Sequence, residues 1–478
     1  MSKKLKELSK EQLIELIEKS KLNKKYGLVW EEIPENIWLK LKKYNPVLNE
    51  IKNKSIGDDQ AKPTNCLIQA DNLEALVALN SFYANKIDVI YADPPYNTGA
   101  KDWKYNNQFV DSEDSFKHSK WLNMMNKRLN IAKGLLKDDG VICITIDDYE
   151  LPALWFLLDE IFGDSNNLGV VTIRNNPKGR PQNDRKLSQI HEYALFYGKS
   201  NKSKIKRFEV DLANKSHKYV DTEKGPASPQ NLRKSGVDSQ AKNKNGEYKK
   251  SFYPVYYDKN SKKISLNKKL PIKILPIDTN GNERVWRVTK ERFEKLLSEN
   301  DLWIDETKNG YQVKYFFRGG LMGELPKSIW WDKKDKKGNN KALFSASEYG
   351  TKILEETLAT RESFPYPKSI YAVIECILSS TDNKNAIVLD FFAGSGTTGH
   401  AVLELNKEDG GNRQFILVTN NENNIAEEVT YPRLRNVING YKNLKNEKID
   451  GLGGNLKYYE IDFVPADNSD PSMYELAI

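Results

Sequence analysis

The chain has 478 residues, of which 38% are hydrophobic and 29% charged, and its formal net charge is +8 at pH 7. This composition excludes a disordered protein, and the length predicts about two to three domains. No apolar run reaches the ~18 residues that a membrane helix needs, and the amino-terminal stretch MSKKLKELSKEQ has no apolar signal core. We therefore expect a soluble, cytoplasmic protein that does not contact a membrane.

The cysteines and histidines predict neither disulfides nor a metal site. Cys66, Cys143 and Cys376 lie far apart, and the four histidines do not cluster with them at the spacing of metal ligands. We expect no metal cofactor.

The positive charge is confined to one segment. Residues 201–350 hold 33 Lys and Arg against 19 Asp and Glu, whereas the rest of the chain is acidic on balance. Such a segment either faces a polyanion such as nucleic acid or is a solvated, lysine-rich surface. Charge alone leaves both interpretations open.

The predicted elements begin with an amphipathic helix in SKEQLIELIEK. From about residue 65, apolar strands such as NCLIQADN, IDVIYAD and GVICITIDD alternate with helices, and this alternation predicts a parallel, doubly wound α/β sheet. It lapses in the basic segment, where short aromatic strands and one helix, TKERFEKLLSEN, predict a mixed, mostly β insertion, and it resumes at PKSIYAVIECILSS. We predict four segments: an amino-terminal helical segment (1–60), two halves of one α/β domain (61–199 and 351–478) and the basic insertion (200–350).

A glycine turn in AIVLDFFAGSGTTGHAVLEL has the pattern of a ligand loop. The strand ends in Asp390, and Gly394 and Gly396 would allow the backbone to approach a ligand closely before a helix starts near Thr397. The amino terminus of a helix attracts anionic groups. A plain strand-to-helix turn has the same pattern.

The residues around this turn favour one class of ligand. Thr397 and Thr398 offer hydroxyls to a carboxylate, and the next strand, FILVTNNE, leads to Glu422, an acid placed to accept hydrogen bonds from ribose hydroxyls. The phosphate-loop pattern G-x-x-x-x-G-K-[ST] is absent from the sequence. The loop therefore favours a nucleoside with an amino-acid end over a nucleoside triphosphate.

The stretch YADPPYNTG, residues 91–99, stiffens the chain directly after a predicted strand. Two prolines hold Asp93 and Pro94 extended, so that the Asp93 carboxylate and the Pro94 carbonyl can accept hydrogen bonds from one amine, with the ring of Tyr96 stacked beside it. A rigid turn is the alternative. Hydrogen bonds to both N–H groups would return the lone pair of a nucleobase amine to its nitrogen, and in-line positioning would then support attack on a methyl donor.

DPPYNTG and LDFFAGSGTTGHAV together resemble the amino-methylating DNA methyltransferases that use S-adenosylmethionine, and their order resembles the β group of that family. The strings ADNLEAL, DGVICITIDDYE, HEYALFYGKS and FPYPKS are similar to those of the modification (Mod) subunits of type III restriction systems. The resemblance implies a Rossmann-like, doubly wound methyltransferase sheet interrupted by a mixed, mostly β target-recognition insertion.

The resemblance also implies roles for individual residues. The catalytic positions are Asp93, Pro94, Pro95 and Tyr96. The positions for the cofactor S-adenosylmethionine are Asp71, Asn72, Lys368, Asp390, Phe392, Gly394, Gly396, Thr397, Thr398 and Glu422, with Asn421 as a rival to Glu422 and helix capping as a further role for Asp71 and Asn72.

The implied activity is methylation of the N6 amine of an adenine that is flipped out of duplex DNA. Cytosine N4 methylation and a non-catalytic DNA-specificity subunit are the alternatives. Trp330, Trp331 and Tyr105 are candidates to support the displaced base, or else core residues. The implied partners are double-stranded DNA contacted through phosphates by the basic insertion, and we leave open a homodimer and a separate restriction (Res) subunit.

Overall fold

The computed structural model describes residues 30, 36–57, 63–98, 117–179, 187–208, 220–266, 269–308, 310–317, 324–331, 333–334, 340–361 and 364–466. The amphipathic helix predicted near the amino terminus and the candidate Tyr105 lie outside these ranges. The chain forms two compact units, one comprising Met1–Lys206 with Pro326–Ile478 and the other Arg207–Leu325. Within the described ranges, no helix is long and apolar enough to cross a membrane.

The described part of the chain contains helices and strands that we number in chain order. The helices are α1 (Asn36–Leu41), α2 (Asn72–Tyr83), α3 (Lys117–Leu135), α4 (Leu151–Phe162), α5 (Lys290–Ser298), α6 (Lys352–Leu358), α7 (Ile370–Ser380), α8 (Thr397–Asp409) and α9 (Tyr431–Asn439). The strands are β1 (Tyr44–Glu50), β2 (Cys66–Gln69), β3 (Ile87–Ala92), β4 (Leu136–Ile146), β5 (Asn167–Ile173), β6 (Glu192–Gly198), β7 (Val220–Thr222), β8 (Gly225–Asn231), β9 (Val255–Asp258), β10 (Lys263–Ser265), β11 (Ile272–Ile274), β12 (Leu302–Thr307), β13 (Gly310–Phe317), β14 (Ile329–Trp330), β15 (Lys333–Lys334), β16 (Asn340–Lys341), β17 (Ile387–Asp390), β18 (Gln414–Thr419), β19 (Gly440–Lys442), β20 (Lys448–Asp450) and β21 (Lys457–Pro465).

The first unit is built on a ten-stranded sheet in the order β1-β21-β2-β18-β17-β3-β4-β6-β5-β14. The six strands from β21 to β4 run parallel, so the predicted α/β class is confirmed. The sheet also contains antiparallel strands, which the sequence pattern did not predict. The crossover through α4 leaves a gap between β4 and β5, and β6 fills this gap antiparallel to both, while β1 pairs antiparallel with β21.

The sheet is covered by helices on both faces because alternate residues of each strand point to opposite sides. In β3, Ile90 and Ala92 belong to a core that includes buried residues of α2, α3 and α4. Val89 and Tyr91 belong to a second core, with buried residues of α7, α8 and α9. This double covering explains why the central strands read as nearly continuous apolar runs.

Polar residues follow the central strands at one edge of this sheet. The neighbouring parallel strands β2, β18, β17 and β3 all end at that edge. Asp71, Glu422, Asp390 and Asp93 come within three residues of these ends. Ligands of open α/β sheets bind outside the carboxyl ends of the strands, so the fold places the predicted motifs where a site is expected.

The second unit lies inside the predicted insertion. It holds a four-stranded sheet, β12-β13-β8-β7, and a three-stranded sheet, β10-β9-β11. Helix α5 is the helix expected from TKERFEKLLSEN, and the Thr289 side chain caps it by accepting from the Arg292 N–H at 3.4 Å. Tyr253, Trp286 and Phe293 are buried in its core.

Candidate active site

The Asp93 carboxylate is held at one oxygen. Thr145, on β4, donates its hydroxyl to Asp93 Oδ1 at 2.7 Å, and Lys368 Nζ lies 3.1 Å from the same Oδ1. Neither contact engages Oδ2, and the Asp93 side chain remains 26% exposed. The carboxylate is therefore fixed in orientation while one of its oxygens can still accept a hydrogen bond from a ligand.

The rest of the D-P-P-Y loop is anchored to the helices and strands around it. The Trp121 indole N–H donates to the Pro95 carbonyl at 2.7 Å. The Tyr96 hydroxyl donates to Glu192 Oε2 at 3.1 Å, and burial raises the pKa of this phenol well above its ordinary value. Asn97, buried and at φ 57°, donates its side-chain amide to Glu150. Hydrogen bonds thus anchor the loop at Pro95, Tyr96 and Asn97.

Glu192, the first residue of β6, contacts the predicted site residues and is a candidate site residue that the sequence reasoning missed. It is buried, and its Oε2 accepts from Lys368 Nζ at 2.6 Å and from the Asn175 amide at 2.8 Å as well as from Tyr96. An acid that opens an otherwise apolar strand, in HEYALFYG, is the signal that could have identified it. One carboxylate therefore organises both Tyr96 and Lys368.

Lys368 lies at the catalytic loop. Its ammonium contacts Asp93 and Glu192, sits 4.5 Å from the centroid of the Tyr96 ring, and also hydrogen-bonds the Tyr96 hydroxyl. Burial lowers the pKa of Lys368, but the charges of Asp93 and Glu192 outweigh burial, so its pKa is raised and the side chain stays charged. These contacts connect it to the predicted catalytic residues, and its role toward the cofactor stays a prediction.

The glycine loop follows β17 as predicted. Asp390 accepts from the Phe392 N–H at 2.9 Å and from the Thr398 hydroxyl at 2.6 Å, and burial raises the pKa of this carboxyl to about 7. Gly394 (φ 49°) and Gly396 (φ 77°) adopt the left-handed conformation that favours glycine. A Cβ on Gly396 would also lie 3.1 Å from the Thr430 side chain, so this glycine serves packing too.

Asp71 and Asn72 lie at the start of helix α2, and both contact Arg128. Asp71 caps helix α2 by accepting from the Leu73 N–H at 2.7 Å, which confirms the capping alternative. Arg128 contacts Asp71 Oδ1 at 3.3 Å and donates to the side-chain oxygen of Asn72. Contact of either residue with a cofactor stays a prediction.

Glu422 opens a short 3-10 turn after β18 and is half-buried. The side chain of its rival Asn421 accepts from the Glu427 N–H at 3.3 Å and so stabilises the turn that follows. Glu422 therefore remains the predicted ribose ligand.

Of the aromatic candidates, Trp330 is a core residue. It lies in β14, is 6% exposed and stacks on Phe344 with the ring centroids 5.7 Å apart. Trp331 is 50% exposed, and the Arg174 guanidinium lies 4.7 Å from the centroid of its ring. Only Trp331 of this pair is placed to meet a ligand.

The two predicted motifs end on neighbouring strands. In the parallel pair of β3 and β17, Val388 lies opposite Val89 and Leu389 opposite Ile90. Asp390 follows Leu389 directly and Asp93 comes three residues after Ile90, and the charge of Asp93 contributes to the raised pKa of Asp390. The arrangement joins a loop with fixed acceptors for an amine to a glycine loop at a helix amino terminus.

Comparison with known proteins agrees with this arrangement. Residues 87–429 match the family described as DNA methylase, and the chain belongs to this family.

Individual relatives show the same relationship. The Mod subunit of the type III enzyme EcoPI, from Escherichia phage P1, is 30% identical over 407 residues, which are 79% of this chain and 60% of the relative. The type II methyltransferase M.KpnI from Klebsiella pneumoniae is 30% identical over 424 residues, 86% of this chain and 95% of the relative. The Mod subunit of StyLTI from Salmonella typhimurium is 28% identical over 456 residues, 89% of this chain and 61% of the relative. The chain thus spans about three fifths of the length of these Mod subunits.

Proposed function

We propose that this chain transfers a methyl group from S-adenosylmethionine to the N6 amine of an adenine in duplex DNA, as the modification subunit of a type III restriction-modification system. One observation carries the proposal. The D-P-P-Y loop and the glycine loop follow adjacent parallel strands at one edge of the sheet, although they lie nearly three hundred residues apart in sequence. Membership of the DNA methylase family supports it.

The catalytic loop offers the acceptors that an aromatic amine needs. Asp93 Oδ2 and the Pro94 carbonyl accept the two amine hydrogens, and the ring of Tyr96 stacks on the base. Thr145 and Lys368 keep the carboxylate in place by holding Oδ1. With both hydrogens engaged, the lone pair returns to the amine nitrogen, and most of the remaining rate enhancement comes from positioning.

The residues of the glycine loop and its neighbours suit the methyl donor. S-Adenosylmethionine supplies an electrophilic sulfonium methyl group. We assign its adenosine to the half-buried Glu422 and to Asp71 with Asn72, and its amino-acid end to the loop after Asp390, at the amino terminus of α8. A fully buried arginine, Arg433, lies against this loop, which fits a ligand that carries an anionic group.

The second unit, Arg207–Leu325, serves in this proposal as the target-recognition insertion of a doubly wound methyltransferase sheet. A base stacked inside a duplex cannot reach the Asp93 loop, so the adenine is flipped out before methylation. The relatives that are Mod subunits of type III enzymes by name support a type III system, and the partner in this proposal is a separate restriction (Res) subunit.

The match to M.KpnI over nearly its whole length favours a second candidate function. This chain matches 95% of that relative's length, so a type II methyltransferase is the alternative assignment. Isolation of the protein from its own cells separates the two. A co-purifying restriction subunit supports the type III assignment, and a chain that purifies without any restriction subunit supports the type II assignment.

Methyl transfer in vitro tests the activity. The purified chain is incubated with duplex DNA and S-adenosylmethionine tritiated at the methyl group, and the DNA is digested to nucleosides. We expect the label in N6-methyladenine, and none with Asp93→Ala. Asp382→Ala, which changes a carboxylate that is 78% exposed, is the matched control and should retain activity. Label in N4-methylcytosine would overturn the adenine assignment.

A chimaera tests the recognition role of the second unit. Residues 207–325 are exchanged for the corresponding unit of a Mod relative. We expect the methylated DNA sequence to change while cofactor affinity is retained. An unchanged methylated sequence would refute the role of this unit in recognition.

A further inference from the structure

Arg433, on helix α9, lies behind the glycine loop and is completely buried. Its Nη1 donates to the Ser395 carbonyl at 3.2 Å, to the Ser395 hydroxyl at 3.1 Å and to the Thr397 hydroxyl at 2.8 Å. One guanidinium therefore holds the last turn of the loop and the first residue of α8.

The charge of Arg433 is not compensated by the protein around it. Among the residues that the structure describes, no carboxylate forms an ion pair with Arg433, and its Nε has no hydrogen-bond partner. A further hydrogen-bond partner of the guanidinium is His400, whose Nδ1 accepts from Nη2 at 3.4 Å. Burial lowers the pKa of His400 to about 4, so this imidazole is neutral and fits its role as an acceptor.

A buried cation without an anionic partner is costly, and proteins normally pair or neutralise such groups. Burial lowers the pKa of Arg433, but only to about 9, so the guanidinium remains charged at neutral pH. Among the described residues, a second fully buried arginine, Arg413, makes a two-pronged ion pair with Asp409 at 2.9 and 2.8 Å. The contrast indicates that the partner of Arg433 is a group outside the described chain.

The hydrogen bonds of Arg433 also set the direction of the neighbouring hydroxyls. Ser395 and Thr397 both accept from the guanidinium, and their oxygens lie 3.2 Å apart, so one hydroxyl donates to the other and the second keeps a free proton. Thr398, by contrast, donates its hydroxyl to Asp390. One hydroxyl of the Ser395 and Thr397 pair, and not that of Thr398, can therefore donate to an anion at the start of α8.

We propose that Arg433 is a positioning residue for the carboxylate of S-adenosylmethionine, which it attracts through the Ser395 and Thr397 hydroxyls and with the partial positive charge of the α8 amino terminus. This inference rests on the proposed cofactor site. It explains a buried, unpaired guanidinium that packing alone does not require. It also makes Arg433 a determinant of cofactor specificity, because a ligand without a carboxylate leaves its charge uncompensated.

The test compares two ligands by calorimetry, S-adenosylmethionine and its decarboxylated analogue. In the unaltered chain we expect S-adenosylmethionine to bind about tenfold more tightly or better, a difference that corresponds to ~1.4 kcal/mol. In Arg433→Met this preference should disappear because affinity for S-adenosylmethionine falls while affinity for the analogue stays within about twofold. Arg433→Lys should retain part of the preference.

Arg413→Met is the matched control, since it removes a fully buried guanidinium that is paired with a carboxylate. It should lower stability and leave the ligand preference unchanged. An equal loss of affinity for both ligands in Arg433→Met, or no loss for either, would overturn the proposal.

Thr397→Val provides a second route if Arg433→Met fails to fold. It interrupts the hydrogen bonds between Arg433 and the ligand, so the preference for S-adenosylmethionine over the decarboxylated analogue should fall. An unchanged preference would refute the proposal that Arg433 acts through the Thr397 hydroxyl. Failure of the unaltered chain to bind S-adenosylmethionine at all would instead refute the proposed cofactor. The two proposals therefore fail in distinguishable ways.

Discussion

Replacing Lys368 with methionine removes the cation that two carboxylates share. Lys368 Nζ lies 2.6 Å from Glu192 Oε2 and 3.1 Å from Asp93 Oδ1, and the Lys368 and Glu192 side chains are only 13% and 3% exposed. Breaking a buried ion pair by removal of one partner costs about 3–5 kcal/mol. We expect Lys368→Met to lower the free energy of unfolding by about 3 kcal/mol, the low end of that range, because Asp93 keeps contact with solvent.

A double-mutant cycle measures the interaction energy between Lys368 and Glu192. Glu192→Gln leaves the ammonium on Asp93, and the double variant Lys368→Met/Glu192→Gln removes both charges of the closer pair. The double variant should be less destabilised than the sum of the single variants, with a coupling of about 1–3 kcal/mol measured by urea denaturation. Additive effects would show that the two side chains do not interact and would refute this account of the site.

The same variant separates two roles of Lys368. Without the ammonium the Asp93 carboxylate is held by Thr145 alone and is less well oriented, so methyl transfer at saturating cofactor should fall by about 10²-fold, while calorimetric affinity for S-adenosylmethionine changes little. A large loss of cofactor affinity with normal turnover would instead assign Lys368 to the cofactor, as the resemblance implies.

Three further predictions concern the loops and the second unit. Asp93→Ala should abolish methyl transfer and leave affinity for S-adenosylmethionine within about twofold, because Asp93 engages the amine and not the donor. Asp390 has its pKa raised from 3.8 to about 7 in the folded chain, so its contribution to stability is greatest below pH 4 and is lost as pH rises to 7. Asp390→Asn cannot ionise, and its stability relative to the unaltered chain should therefore rise by about 2 kcal/mol between pH 5 and 7 in urea denaturation. Lys234, Lys249 and Arg287 line an open cleft of the second unit, and changing all three to Gln should weaken DNA binding and reduce the salt dependence of log Kd by about 0.9 for each DNA phosphate that these side chains neutralise.

Each of these has a contradicting result. Activity in Asp93→Ala would remove Asp93 from the catalytic role. A stability difference between Asp390→Asn and the unaltered chain that does not change with pH would show that burial does not raise the pKa of this carboxyl. For the cleft, Lys262 and Lys263, exposed lysines of the same unit, are the control pair, and an equal change in salt dependence on their replacement would argue against a specific phosphate site.

The local motifs could be predicted from the sequence because their chemistry is contained in a few consecutive residues. The two prolines after Asp93 restrict the backbone to an extended conformation, and the glycines after Asp390 permit a left-handed one, so both geometries can be predicted from residue type. Alternating apolar runs likewise predicted the central strands, since strands covered on both faces need apolar residues at nearly every position.

The supporting residues could not be predicted because their partners lie far away along the chain. Glu192 meets Tyr96 and Lys368 only after β6 enters the gap between β4 and β5. Arg433 meets Thr397 only after α9 packs behind the glycine loop. The outer strands β1 and β21 were missed for a similar reason, because they pair across almost the whole length of the chain.

Base modification in living cells tests the central claim most directly. DNA from cells that express the chain is compared by methylation-sensitive sequencing with DNA from cells that express Asp93→Ala. We predict N6-methyladenine within one short DNA sequence in the first sample and its absence in the second. N4-methylcytosine at that sequence, or identical methylation in both samples, would contradict the assignment of this chain as an adenine N6 DNA methyltransferase.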